Sequence, residues 1–490
     1  MFLGIKKNLF LQPRQMKVEN YSLLTDLYQL TMGYAYWKNQ KHEQNAVFNL
    51  YYRKSPFGGE YTVVAGLQTV IDFIQHFRID DSDLAYLRTL KGNDGKPLFE
   101  EDYLKYLSEL RFSGDVYAIE EGDIAFPNLP LIQLRAPLIQ AQILETPLLA
   151  IVNFQTLIAT KASRVVQAAQ GDKVLEFGLR RAQGIDGALS ASRAAYIGGV
   201  DGTSNVLAGK LWNIPVKGTH AHAWVMVFPS ELEAFEAYAN TMANNCIFLV
   251  DTYDTIQGVK NAIKIGKKLK EKGFNLAGIR LDSGNLTTLS IEARKLLDEA
   301  GFVHTSIVAS NDLDEDIIYE MKKNGAQIDV WAVGTHLVTA HNQPALGGVY
   351  KLAAIQENNQ WKYRIKLSEQ IIKISTPGIL EPQRILNSQN QAIADVLIDI
   401  LQPHSNEFIH EKTNNNFQMK PEYHSITLLK KIFENGKLIY PTKTLEEIRH
   451  FHKERKNLFP PQLFDLYHPC SYPIYLEKNL FTLKSQMVKK

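Results

Sequence analysis

Between about residue 174 and residue 335 the sequence alternates short β-rich runs with helical patterns. The β-rich runs begin near Val174, Ile214, Ile247, Ala277, Ser306 and Ile328. The segments between them have helical periodicity. In "LTTLSIEARKLLDEAG", Leu286, Leu289, Ala293, Leu296, Leu297 and Ala300 share a face and Gly301 follows as a stop signal. In "TIQGVKNAIKIGKKLKEKG", Ile256, Val259, Ile263 and Leu269 oppose a run of lysines, which reads as a solvated outer face. Regular strand–helix alternation demands parallel strands joined by crossover helices, so the fold class is α/β. A barrel or partial barrel fits at least as well as an open doubly wound sheet. No G-x-G-x-x-G follows any of the runs, which argues against a dinucleotide-binding sheet.

The flanks lack this rhythm. "YSLLTDLYQLTMGYAYW" carries Leu24, Leu27, Leu30, Tyr34 and Trp37 at helical spacing, "SPFGGEYTVVAG" reads as a turn feeding a strand, and "VYAIEEGDIAF" and "LIQLRAPL" read as strands. After about residue 345, "GGVYKLAAI", "WKYRIKLS", "QRILN" and "AIADVLIDIL" read as antiparallel strands, followed by a basic helix, "TLEEIRHFHKERKNL". A chain of 490 residues accommodates two or three domains. The expected division is an N-terminal α/β domain over 18–140, a barrel-like core over 141–345, and a C-terminal α+β extension over 346–490 that packs partly back on the first.

Hydrophobic residues at 45% and charged residues at 22% supply a large core, and a net charge of +2 gives no support for a nucleic-acid or membrane-surface partner. Cys246 and Cys470 are too few and too far apart for a disulfide framework or a cysteine zinc site, so a reducing cytoplasm is the simplest compartment. "MFLGIKKNLFLQPRQMK" has no apolar stretch of signal-peptide length, and "PLLAIVNFQTLIA" reads as a buried helix rather than a membrane span.

The polar residues gather where the β-rich runs end. Arg180-Arg181, Gly218-Thr219, Asp251-Thr252-Tyr253-Asp254, Arg280 with Asp282-Ser283-Gly284, Ser310-Asn311-Asp312 and Gly334-Thr335 all fall at such ends. Parallel α/β enzymes place their chemistry at that edge. Six converging ends would make one rim of arginines, carboxylates and small residues, suited to a phosphorylated ligand with a cation. Each piece has a plainer reading: Arg180-Arg181 as a surface ion pair, Asp282, Asp251 or Asp254 as helix caps. Capping does not require arginines on the same rim.

In "VKGTHAHAW", His220 and His222 stand two apart. On a strand they would share a face, as a metal pair does, but His304, His336 and His341 are scattered and supply no companion ligand at metal spacing. A structural role for both, or catalysis by one, stays open on these residues alone.

The chain resembles the nicotinate phosphoribosyltransferases through "LLTDLYQLTMGYAYW", "PFGGEYTVVAGL", "ETPLLAIVNF", "EFGLRRAQGIDGALSASRAAYIGGVDGTSNVLAG", "GTHAHAW", "LVDTYDT", "GIRLDSGNL", "ASNDLDE", "VGTHLVT" and "LGGVYKL". The resemblance implies an irregular (β/α) barrel-like core. It implies conversion of nicotinate and 5-phosphoribosyl 1-diphosphate to nicotinate mononucleotide and pyrophosphate in NAD salvage, with ATP as co-substrate and Mg²⁺ as cofactor. It makes His222 the phosphohistidine that couples ATP hydrolysis, with His220 at the variable position. It places Tyr28 on the pyridine ring across a homodimer interface, and Thr219 and Arg280 on nicotinate. Gly334 and Thr335 would hold phosphate, and Arg180, Asp282 and Ser310 would complete the substrate pocket. Ala223 stands where some relatives carry Ser or Glu. The neighbouring alternatives are a nicotinamide or quinolinate phosphoribosyltransferase, a sugar-phosphate barrel lyase using Lys217 as a Schiff base, and a silent metabolite-binding protein.

Overall fold

The computed structural model describes residues 20–489; the N-terminal segment "MFLGIKKNLFLQPRQMK" lies outside the described residues. At the centre is a six-stranded sheet in the spatial order Gly202–Thr203, Lys173–Glu176, Val330–Val333, Ser306–Ala309, Gly278–Leu281, Ile247–Leu249. Every pairing within it is parallel. The strands are two to four residues long and almost wholly buried, as apolar runs must be when helices cover the sheet.

The covering helices form for the reasons their periodicity suggests. Thr255–Glu271 buries Val259, Ala262, Ile265 and Leu269 and leaves Lys260, Lys264, Lys267, Lys268 and Lys270 in solvent. Leu286–Glu299 buries Leu286, Ser290, Ala293 and Leu297. "PLLAIVNFQTLIA" is the middle of a buried 25-residue helix, Glu145–Ala169, which packs against Ile185–Ile197 behind the sheet. No helix among the described residues is long and apolar enough to cross a membrane.

The sheet differs from the expected series in one place. The run near Ile214 makes no strand; it contributes a single bridge, Val216 to Thr203. The strand that flanks Lys173–Glu176 is instead the two-residue Gly202–Thr203. The outer strands Gly202–Thr203 and Ile247–Leu249 do not pair, so the barrel is left open. The segment from Val216 to His220 spans the gap, bridged to Thr203 on one side and accepting the Leu249 N–H on His220 Nε2 at 3.3 Å on the other. The two histidines therefore do not ride on a strand: the Ile214 run carries Pro215 and Gly218, which interrupt a ladder.

Strands from both flanks share a second, seven-stranded sheet in which Gly348–Glu357 lies against Asn45–Tyr52 and Leu429–Glu434 against Asp115–Ile119. A third sheet carries Leu380–Leu386 and Ala392–Asp399. It is tied to the N-terminal part by Arg384, fully buried, which donates to Asp395 at 2.9 Å and to Asp123 at 2.8 Å.

Candidate active site

The strands of the central sheet end on one side, around a cleft of about 450 Å³. Each strand end supplies part of its wall: Phe177 and Arg180 after the first, Ser204 after the second, and Leu249 closing the third. Arg280 and Asp282 come from the fourth, Ser310 to Asp312 follow the fifth, and Gly334 and Thr335 follow the sixth. Thr219, His220 and His222 enter through the barrel gap. Of the residues singled out from the sequence, Arg180, Thr219, His222, Arg280, Asp282, Ser310, Gly334 and Thr335 all line this cleft. Tyr28 does not.

Arg280 is the most constrained side chain in the cleft. Its Nε donates to Ser310 Oγ at 2.9 Å, its Nη1 to Thr219 Oγ1 at 2.9 Å, and its Nη2 lies 3.2 Å from Asp282 Oδ1. Ser310 Oγ in turn makes a short hydrogen bond to Asp282 Oδ1. Burial pushes the Asp282 carboxyl up. The Ser310 hydroxyl, the Arg280 guanidinium and the nearby His222 outweigh it and hold the group below the usual carboxylate range. The result is a planar cation fixed by three partners beside an ionised carboxylate. Arg180 and Arg181, on the Leu179–Arg181 turn, add exposed positive charge at the rim and enter no ion pair among the described residues.

The plainer readings of the acidic residues divide. Asp254 does cap Thr255–Glu271, accepting the Gln257 N–H at 2.7 Å. Asp282 does not cap Leu286–Glu299, because Asn285 does so through the Thr288 N–H. Asp251 accepts the Asp282 N–H at 2.9 Å and the Ser283 hydroxyl at 2.6 Å, pinning the loop that carries Asp282; its Oδ1 is buried without a partner.

The two histidines have opposite surroundings. His222 is the first residue of the short helix His222–Met226, its side chain 39% exposed. Its Nδ1 lies 3.1 Å from Thr252 Oγ1 and its Nε2 3.6 Å from Asp282 Oδ2. His220 is buried among Phe235, Tyr238 and Phe248. Its Nδ1 donates to the Ala221 carbonyl, leaving Nε2 to accept from Leu249. Burial, helped by the Arg280 charge, lowers its pKa to about 4, so the ring stays neutral near pH 7. No group of three or more His, Cys, Asp or Glu among the described residues is placed to hold a metal ion, and the two rings of this motif face different surroundings. Lys217, the Schiff-base candidate, does not line the cleft; its N–H is tied to the Thr203 carbonyl.

Three features have contacts or conformations that the sequence did not specify. Thr252 sits against the His222 ring, which only the folded loop reveals. Asn311 and Asp312 follow Ser310 with φ of 104° and 40°, a strained pair that Asn and Asp tolerate better than most residues. Beside Tyr28, Glu145 anchors a buried cluster through Gln29 and Gln142, and burial lowers the pKa of the neighbouring Lys351.

A parallel sheet whose strand ends converge on arginines, an ionised aspartate, a half-exposed histidine and small hydroxyl residues defines an α/β enzyme built to hold a phosphorylated, anionic substrate. Comparison with known proteins narrows this. The N-terminal, central and C-terminal regions of nicotinate phosphoribosyltransferase match residues 23–153, 173–376 and 381–484. The nicotinate phosphoribosyltransferase of Bacillus subtilis is 42% identical over 478 residues, covering 96% of both chains. The crystal structure of human nicotinic acid phosphoribosyltransferase superposes with a TM-score of 0.82 at 30% identity, over 94% of this chain and 99% of that one. A nicotinate-nucleotide pyrophosphorylase from Pyrococcus furiosus shares the fold, with a TM-score of 0.66 at 21% identity over 93% and 99% of the two chains. The chain belongs to the nicotinate phosphoribosyltransferase family.

Proposed function

We propose that the cleft joins nicotinate to the ribosyl carbon of 5-phosphoribosyl 1-diphosphate, releasing pyrophosphate, with ATP hydrolysed through a phosphohistidine at His222. The observation that carries this reading is Arg280, locked by Ser310, Thr219 and Asp282 in the same cleft as His222. A fixed guanidinium beside a threonine hydroxyl suits the nicotinate carboxylate, which takes charge-assisted hydrogen bonds that the neutral amide of nicotinamide matches only weakly. The pyridine nitrogen is itself a nucleophile, so the residues need only orient it. Gly334 and Thr335 receive the 5-phosphate at the start of Thr335–Val338, and Arg180 faces the diphosphate.

Mg²⁺ would enter with the substrate's phosphates, because the carboxylates alone make no closed metal site. Asp282, the ionised carboxylate that lines the cleft, would hold it, with Asp251 bracing the loop behind, and the ion's charge would offset that of the leaving diphosphate. His222, with Nδ1 against Thr252, presents Nε2 to the cleft as the nucleophile toward the γ-phosphoryl group of ATP. Tyr28 completes the pocket of a second copy. Reduced, separated Cys246 and Cys470 agree with a cytoplasmic setting.

The test is pyrophosphate formation dependent on nicotinate, with and without ATP, using nicotinamide and quinolinate as competing acceptors. Nicotinate alone is expected to turn over. Arg280→Lys should lower kcat/KM for nicotinate by about a hundredfold, as loss of a bidentate charged contact does. His222→Ala should abolish acid-labile ³²P transfer from γ-labelled ATP and leave slow uncoupled synthesis. Parent-like nicotinate kinetics in Arg280→Lys, or phosphoryl labelling that survives His222→Ala, would remove these assignments.

A further inference from the structure

Glu176 ends the strand Lys173–Glu176, is wholly inaccessible to solvent, and enters no ion pair among the described residues. A carboxylate with no countercharge at a strand end is an expensive residue to keep, so its contacts should explain it. Its Oε1 accepts the N–H of Gly178 at 2.5 Å. Its Oε2 accepts the hydroxyls of Ser192 at 2.8 Å and Thr203 at 2.5 Å. Its main-chain carbonyl accepts the N–H of Ser204 at 2.9 Å. One residue thus joins the turn that carries Arg180, the helix Ile185–Ile197, and the strand end that leads to Ser204.

The Gly178 contact matters most for the cleft. A Cβ at Gly178 would lie 2.3 Å from Val338 Cγ1 and 2.8 Å from the Gly334 carbonyl, so the Arg180 turn sits flush on the Gly334–Val338 segment. The Phe177 N–H closes the same junction on the Val333 carbonyl at 2.8 Å. Arg180 and Thr335 belong to different strand ends, and their relative placement depends on this seam.

We propose that Glu176 is a positioning residue for the phosphoribosyl diphosphate half of the cleft, acting through the Gly178 N–H to hold Arg180 against the Gly334–Thr335 loop. The inference rests on the substrate assignment above. It assigns no role to Glu176 toward the proposed nicotinate contact Arg280, whose strand Gly278–Leu281 is separated from Lys173–Glu176 by Val330–Val333 and Ser306–Ala309. A buried carboxylate outperforms a neutral side chain here because both oxygens accept and three donors, from three separate segments, are drawn to one point.

Steady-state kinetics and calorimetric binding of phosphoribosyl diphosphate are measured for the parent, Glu176→Gln and Ser192→Ala. Glu176→Gln preserves shape but turns one acceptor into a donor. It is expected to raise KM and Kd for phosphoribosyl diphosphate about tenfold, the scale of one charge-assisted hydrogen bond, while KM for nicotinate stays within about twofold. Ser192→Ala removes one donor and should produce the same split at about threefold, which keeps the test available if Glu176→Gln does not fold. Unchanged phosphoribosyl diphosphate binding in a folded variant, or equal rises in both KM values, overturns the positioning role. A parent enzyme that neither binds phosphoribosyl diphosphate nor releases pyrophosphate would instead overturn the substrate assignment.

Discussion

His220 and His222 share a motif and differ in which way the backbone turns them. His220 faces inward, and its ring sits 5.0 Å from that of Tyr238 and 6.2 Å from that of Phe248. His222 starts a helix, against Thr252 and Asp282. The buried ring has a consequence that can be titrated. The His220 pKa falls from 6.5 to about 4 through burial first, and burial does the same to His452, which donates from Nδ1 to the Gly122 carbonyl at 2.8 Å. Below pH 6.5 the unfolded chain takes up protons that the folded chain refuses. Their contribution is therefore intact above the unfolded value and is lost as pH falls from 6.5 toward 4. Each ring accounts for on the order of 3 kcal/mol across that window. Urea melts at pH 7.0, 6.0 and 5.0 should show stability dropping, and His452→Gln should flatten the drop. Identical pH slopes for variant and parent would mean that His452 is not held neutral.

Elements place the chemistry by freeing or engaging single side chains at strand ends. After Gly278–Leu281, Asn285 caps the next helix and Asp282 is left for the cleft. After Ile247–Leu249, Asp254 takes the cap and Asp251 braces the Asp282 loop. Asn285→Ala should therefore cost about 1 kcal/mol of stability with little change in turnover, the usual effect of losing a cap. Asp282→Asn should lower the melting temperature as well, because Arg280 loses its countercharge, and unlike Asn285→Ala reduce kcat by at least about tenfold. Reversed outcomes, measured by thermal melts and pyrophosphate release, would exchange the two roles. The same strand ends mark what the sequence could reveal. Periodicity located Leu286–Glu299 and the strand end at Arg280 because helix faces and apolar runs are local patterns. It misplaced the strand near Ile214, since a two-residue strand such as Gly202–Thr203 has no periodicity to read, and parallel pairing there depends on Lys173–Glu176. Which aspartate caps and which serves the cleft is equally silent in sequence, because both stand just before a helix. Glu176 was invisible for a related reason: in "KVLEFGLRR" it reads as an ordinary charged residue at the end of a strand, and only its convergence with Ser192 and Thr203 shows that it is buried.

At the scale of the molecule, the cleft and Tyr28 remain apart. Tyr28 is 47% exposed on Leu27–Lys38 and does not line the cleft of its own chain. It sits in a run of outward apolar side chains, Tyr21, Leu24 and Leu27, each about half exposed at 49%, 50% and 53%. Around the barrel gap the chain exposes a second apolar group, Val206, Leu207, Leu211, Met226 and Val227. Two such surfaces on one chain, one carrying the ring and the other bordering the cleft, suit a two-fold dimer in which each copy inserts Tyr28 into its partner's pocket. The arrangement predicts complementation. Tyr28→Ala lacks the ring for the opposite pocket, and His222→Ala lacks the nucleophile in its own. A hybrid dimer of the two variants concentrates both defects in one pocket and leaves the other intact. Random mixing makes half the dimers hybrid, so ATP-coupled nicotinate turnover should recover to about a quarter of the parent level when the two variants are unfolded and refolded together. A pocket completed within one chain would give no recovery at any mixing ratio, because every pocket would still lack either the ring or the imidazole.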